Sequence, residues 1–354
     1  MNEPYFHRVN KLSPTKFWIN NPSREEARLA IEAGAWGCTC NPSYGQKMLD
    51  HATEVERQYA AGLLAESVRE ASDDNEAVAL FQRKLVKGIA DIFAPMFEKS
   101  RGEHGYVSIQ GDPIHEHDSD VIIHEAFANR KIGSNACIKI PVTASGLRAV
   151  DTLVASDIPI NSTEIFAMAQ VRDLCETYVA ATKKSGKRPK MYLSHIAGIY
   201  DDHLQNYVKA HNIDIFPDVL MQAGLSIARK AYQFLQEHKY PITLIGGGAR
   251  GLHHFTEMVG GDCVVTINWR GTADVLLKEN PPVVWRLFNP VPEYVVEELA
   301  SKLPDYKRGY VDAGLKVDEY EEFGPVDLFR SSFVGSWKKV LGLIAEMRKA
   351  KGAH

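Results

Sequence analysis

The chain has 354 residues, 45% of them hydrophobic, and carries a formal net charge of −4 from 41 basic and 45 acidic residues. That apolar share can fill a large core, and the interspersed charges leave no basic face for nucleic acid. No apolar run is long enough to cross a bilayer and MNEPYFHRVNKLSPTK lacks the apolar centre of a secretory signal, so the expectation is a cytoplasmic protein with no membrane partner.

From the N-terminus, Lys16–Asn20 (KFWIN) reads as a first strand. The segment SREEARLAIEA over 23–33 follows as a helix, with Ser23 as N-cap and Glu25 and Glu26 in its first turn. Trp36–Cys40 is the second strand. Two helical stretches, Glu54–Glu70 and Asn75–Phe97, then carry apolar residues at helical spacing on either side of the polar turn Ser72-Asp73-Asp74. Tyr106–Gln110 is the third strand, Ala136–Ile140 the fourth, Ile158–Asn161 the fifth and Met191–Ser194 the sixth. Ile242–Ile245 and Cys263–Ile267 are the seventh and eighth, and helical patterns such as Ala144–Ala155, Glu164–Thr182 and Val219–His238 fill the gaps. From Pro281 onward the pattern is mostly helical, ending in Ser336–Lys351.

Strands alternating with helices predict parallel βαβ units, and eight of them can close into a (β/α)8 TIM barrel. The expectation is a single domain over 1–354: a barrel over about 16–280 with additional helices, including a helical C-terminal tail over about 281–354. A homo-oligomer is an admissible assembly.

In such barrels the chemistry sits at the carboxyl ends of the strands. The polar residues at those ends are Asn20, Asn41, Gln110, Lys139, Asn161, Ser194, Arg250 and Asn268. So many amides suit a polyhydroxylated ligand. Lys139 lies between isoleucines in Ala136–Pro141 (ACIKIP). If its side chain points inward, desolvation lowers its pKa and frees the amine to attack a carbonyl; if outward, it snorkels to water. Gly246–Gly251 (GGGARG) satisfies G-x-G-x-x-G, but no acidic residue follows about 20 positions later, as a dinucleotide fold requires. An anion site after the seventh strand, with Arg250 as the charged partner, fits better. Asp112–Asp118 (DPIHEHD) is rich in metal-ligand types yet also reads as a solvated turn in which Asp118 or Ser119 caps the next helix. Cys38, Cys40, Cys137, Cys175 and Cys263 read as reduced structural thiols, and neither metal nor cofactor is expected.

Taken in order, several of these segments resemble the transaldolase family of class I aldolases. Thr39-Cys40-Asn41-Pro42-Ser43 is similar to its signature after the second strand, and Val107–Asp112 (VSIQGD) to its third-strand motif. Ile138–Thr143 (IKIPVT) with Gly146 is similar to the segment bearing its Schiff-base lysine. Asn161-Ser162-Thr163 resembles its Asn-x-Thr, Ser194 its sixth-strand serine and Gly248-Ala249-Arg250 its phosphate-binding arginine segment.

The resemblance implies a small-molecule sugar substrate from carbohydrate metabolism, such as that of the pentose phosphate pathway, and transfer or release of a three-carbon ketol unit. Lys139 would be the catalytic amine, Gln110 and Thr163 would hold a water for proton transfers, Asn41, Asn161 and Ser194 would bind substrate, and Arg250 would meet its anion. The family's first-strand acid is replaced by Asn20, which leaves Asp112 and His195 as candidate bases. Its third-strand glutamate is replaced by Gln110, as in the branch of small fructose-6-phosphate aldolases. That branch's tyrosine falls at Ile196, and a second anion-binding arginine would fall near Ile199. These departures keep two alternatives open: an unphosphorylated or sulfonated sugar as substrate, or a catalytically weak sugar-phosphate binder.

Overall fold

Eight parallel strands close into a barrel in sequence order. They are β1 (Lys16–Asn20), β2 (Cys38–Cys40), β3 (Val107–Gln110), β4 (Ala136–Pro141), β5 (Ile160–Ile165), β6 (Met191–His195), β7 (Thr243–Gly246) and β8 (Val264–Ile267). The ring closes where β1 pairs with β8, from Lys16 opposite Val264 to Ile19 opposite Ile267. The computed structural model describes residues 3–51 and 53–352. None of its helices among those residues is long and apolar enough to cross a membrane.

The barrel interior changes character along its axis. At the amino end, Trp18, Tyr106, Cys137, Tyr192, Ile245 and Val264 pack into an apolar plug. Side chains two positions apart on a strand share a face. One step up from the plug therefore lie Asn20, Ser108, Lys139, Ser194, Gly247 and Thr266. Ile138 and Ile140, on the opposite face of β4, join the large core between the sheet and the helices. That alternation turns Lys139 inward.

Of the expected helices, Glu54–Glu70 and Ala144–Ala155 have the predicted bounds, and Ser23 caps Arg24–Glu32 in a full capping box with Glu26. Thr143 caps Ala144–Ala155 by accepting from the Gly146 N–H. Three differences from the expected pattern are these. A short helix, Tyr5–Leu12, precedes the barrel. Strand β5 extends to Ile165, and the next helix starts at Met168 rather than at residue 164. The ladder wins over helix propensity there because Ile165 pairs with His195 and the Gln170 side chain accepts from the Phe166 N–H. The last helix, finally, runs Gly324–Gly352 and not from residue 336. Pro325 is tolerated in its first turn, and Val326, Phe329, Phe333, Trp337, Val340 and Ile344 recur at helical spacing as its buried face.

Candidate active site

At the carboxyl end of the barrel a cavity of about 190 Å³ is lined by Asn20, Thr39, Asn41, Ser43, Lys139, Ser194, Ile196, Ile199, Gly247, Gly248, Arg250, Thr266, Phe329, Ser332 and Phe333. Five expected residues, Asn20, Asn41, Lys139, Ser194 and Arg250, thus converge on one space.

Lys139 is 6% exposed, and its Nζ donates to Gln110 Oε1 on the neighbouring strand at 3.2 Å. The rings of Phe329 and Phe333 cover it, with centroids 5.7 and 5.6 Å from Nζ. Loss of water around the ammonium pulls the Lys139 pKa down from 10.5 to about 8, while the nearby Glu164 and Glu116 oppose the shift. An amine so placed is free in a useful fraction near neutral pH.

Gln110 itself is fixed from behind: its Nε2 donates to Glu164 Oε1 at 2.9 Å and more weakly to Glu116 Oε2 at 3.4 Å. Both carboxyl groups are buried, and burial pushes both pKa values up; for Glu116 the charge of Glu164 adds to the effect. The expected Thr163 adjoins this pair, with its Oγ1 buried and without a partner among the described residues.

The neutral side of the cavity is a chain of short hydrogen bonds. Asn20 Nδ2 donates to Asn268 Oδ1 at 3.0 Å, and Asn20 Oδ1 accepts from Thr39 Oγ1 at 2.9 Å. With its proton so used, Thr39 Oγ1 accepts from Thr266 Oγ1 at 2.7 Å. Asn161 does not line the cavity. It lies beneath, donating to Ser108 Oγ at 3.2 Å and accepting from Ser194 Oγ at 2.7 Å, and so orients the serine that does line it. Asn41 Oδ1 accepts from Asn21 Nδ2 and the Ser43 N–H, which holds the loop after β2.

Arg250 reaches the cavity from the glycine loop after β7. Its Nε pairs with Asp202 Oδ2 at 2.6 Å, and its Nη1 donates to Gly248 O at 3.2 Å. The helix behind this loop, His253–Thr256, is a single turn, so the charged group this loop presents to the cavity is the guanidinium and not a helix terminus. Gly248 needs its φ of +69°, and a Cβ there would lie 2.5 Å from the Ile196 side chain. A Cβ on Gly198 would meet Gly248 O at 1.9 Å, so a bare helix surface is what lets the loop approach. His254 ties down the same loop, since its Nδ1 accepts from the Arg250 N–H and its Nε2 bonds Asp201 Oδ2 at 3.0 Å. Asp201, His253 and His254 are the one cluster of metal-ligand types within mutual reach among the described residues. Both ring nitrogens of His254 are already committed, so the cluster serves as a brace.

Neither candidate base lines the cavity. His195 has its ring nitrogens against the carbonyls of Ile165 and Gly224 at 3.0 and 2.9 Å. Asp112 accepts from the Ile114 N–H and Asn75 Nδ2 and pairs with His115 at 2.6 Å. The Asp112–Asp118 segment is thus a structured turn whose Asp118 caps the following helix, with Glu116 turned inward. Glu116, Glu164, Phe329 and Phe333 were not among the residues expected from sequence.

The chain matches the family model described as transaldolase/fructose-6-phosphate aldolase over residues 17–283. It is 28% identical over 238 residues to a transaldolase of Mycobacterium ulcerans, an alignment covering 62% of this chain and 61% of that protein. It is 29% identical over 235 residues to a transaldolase of Renibacterium salmoninarum, again covering 62% and 61%. The alignment therefore spans about 61% of the length of these curated relatives. A solved structure of 2,3-dimethylmalate lyase superposes with a TM-score of 0.33 at 12% identity, covering 98% of this chain and 96% of that one, a likeness too slight to carry an argument. Phe329 and Phe333 lie beyond the matched residues.

Proposed function

Since the chain belongs to the transaldolase/fructose-6-phosphate aldolase family, we propose that it transfers or releases a three-carbon ketol unit of a ketose through a Schiff base on Lys139. One observation carries this reading: a desolvated amine, its pKa drawn to about 8, at a cavity where amides and hydroxyls stand opposite an apolar wall and one guanidinium. The Lys139 amine adds to the C2 carbonyl, and loss of water leaves an iminium. As the C4 hydroxyl gives up its proton, the C3–C4 bonding electrons move toward the iminium and an aldehyde departs. The enamine that remains is protonated in a lyase or attacks an acceptor aldehyde in a transferase. Gln110 Oε1 holds the amine, Thr163 offers a hydroxyl for a proton-carrying water, Asn20, Asn41 and Ser194 meet substrate hydroxyls, and Asn161 orients Ser194.

The distal end of the substrate meets Arg250 on one side and Ile196 and Ile199 on the other. A single guanidinium beside an apolar wall favours a ketose with one modest anionic grip, a sulfonate or a phosphate, or with none. The test is a panel of phosphorylated, sulfonated and uncharged ketoses, with and without an aldehyde acceptor, followed by NMR. Carbon–carbon exchange or cleavage that is lost in Lys139→Met is the expected result. Binding without turnover across the panel would make the protein a sugar binder instead.

A further inference from the structure

Two buried glutamates behind Gln110 have no role in the scheme above. Glu164 lies in β5 and is 0% exposed, and Glu116 comes from the β3 loop and is 4% exposed. A buried carboxyl is disfavoured unless it is paired or performs a task. Among the described residues the one donor they share is the Gln110 amide, which bonds Glu164 at 2.9 Å and Glu116 at 3.4 Å while its carbonyl end accepts from Lys139 at 3.2 Å. Each carboxyl keeps one buried oxygen without a partner among the described residues, Glu164 Oε2 and Glu116 Oε1. Glu164 holds this place in a left-handed backbone conformation, φ +62°, at the point where the pairing of β5 with β6 shifts register. Residues kept in such conformations by their surroundings cluster at functional sites.

We propose that Glu164, seconded by Glu116, is the carboxylate that balances the positive charge appearing on Lys139 as the imine forms, a positioning role exerted through the Gln110 amide. It rests on the Schiff-base reading above. The step balances with one proton from solvent: the free amine, a ketone and that proton become an iminium and water, while the pair keeps its own proton and its standing carboxylate offsets the new cation across the Gln110 amide. Without that carboxylate the buried site would have to stabilise a lone cation. Asn20 cannot do this, because an amide neither holds nor releases a proton at neutral pH. The other charged groups that act on the pair are Arg330 and Glu321 of the C-terminal segment, and Cys40 on the outer face of β2 is close enough to act on Lys139. Burial and mutual repulsion both favour one proton being kept on the pair.

The test compares the ionisation of Lys139 in the wild type, Glu164→Gln and Glu116→Gln. Competitive labelling with acetic anhydride across pH, read at the Lys139 peptide by mass spectrometry, reports the amine without requiring any substrate. Glu164→Gln keeps an acceptor for Gln110 but loses the charge, so the Lys139 midpoint should fall by about one pH unit. Glu116→Gln should move it the same way by less. A midpoint unmoved or raised in the folded variants overturns the proposal, and Glu116→Gln alone decides if Glu164→Gln does not fold. Borohydride trapping of wild type with the ketose panel runs alongside. No trapping with shifted midpoints would remove the Schiff-base reading and leave the charge pairing; trapping with unmoved midpoints would do the reverse.

Discussion

The aromatic lid over Lys139 offers a quantitative test of how the amine is activated. A pKa lowered from 10.5 to about 8 by burial corresponds to about 3 kcal/mol against the ammonium form. At pH 7 it raises the free-amine fraction about 300-fold, to about one amine in ten. Phe329 and Phe333 supply much of that dry surrounding; Phe333 is 1% exposed, Phe329 7% and nearer the mouth. Phe329→Ala admits water on one side, so the pKa should climb by about 0.5–1 unit, leaving roughly 3- to 10-fold less free amine at pH 7. The sign is fixed. The deficit is largest below pH 8, shrinks as pH rises through the variant's own pKa, and vanishes once both amines are free.

The same depression sets a stability dependence. While protonated, Lys139 destabilises the fold; that penalty is fully present below about pH 8 and is relieved as pH rises from about 8 to 10.5. The substitution removes a buried ring, at a cost of about 3–5 kcal/mol, so folding is checked by circular dichroism before rates are compared. The assay is the initial rate of imine trapping between pH 6 and 10. A loss of equal size at every pH would mean that the ring shapes the cavity without tuning the amine, and would refute the reasoning.

Two further outcomes follow from the site. The Arg250–Asp202 pair is 44% and 37% exposed on its two side chains, so little is lost in releasing the guanidinium to a ligand. Arg250→Ala should raise KM for an anionic ketose by roughly ten- to a hundredfold and much less for an uncharged one, in steady-state kinetics; equal losses on both would make Arg250 a brace for its loop. Asn20→Asp sets a carboxylate facing Asn268 Oδ1 and near Lys139, where it favours the ammonium, so turnover at pH 7 on the best substrate should fall by about tenfold. A gain of tenfold or more would show that the site lacks only its base.

Much of the barrel is legible from local pattern. Lys139 between isoleucines obeys the two-residue alternation of a strand, and once Cys137 is placed in the plug, the lysine must point to the cavity. Arg250 is legible because glycines mark a loop at a strand end. The pair behind Gln110 is not. Glu164 opens a stretch with helical spacing, and only pairing with β6 keeps it in the sheet. Glu116 sits among charged residues that read as a solvated turn, and nothing local says that one of them turns inward. Phe329 and Phe333 reach Lys139 from nearly 200 positions away in sequence, through the packing of the last helix across the barrel mouth. Ser331, Ser332 and Gly335 dilute the helical signal where it matters most.

The central claim is that Lys139 forms a Schiff base with a ketose, and borohydride reduction followed by peptide mass spectrometry tests it most directly. The expected result is a mass increment equal to the reduced ketol adduct on the Lys139 peptide of the wild type, absent from a folded Lys139→Met. No adduct with any ketose tried, or an adduct at another lysine that persists in Lys139→Met, would contradict it.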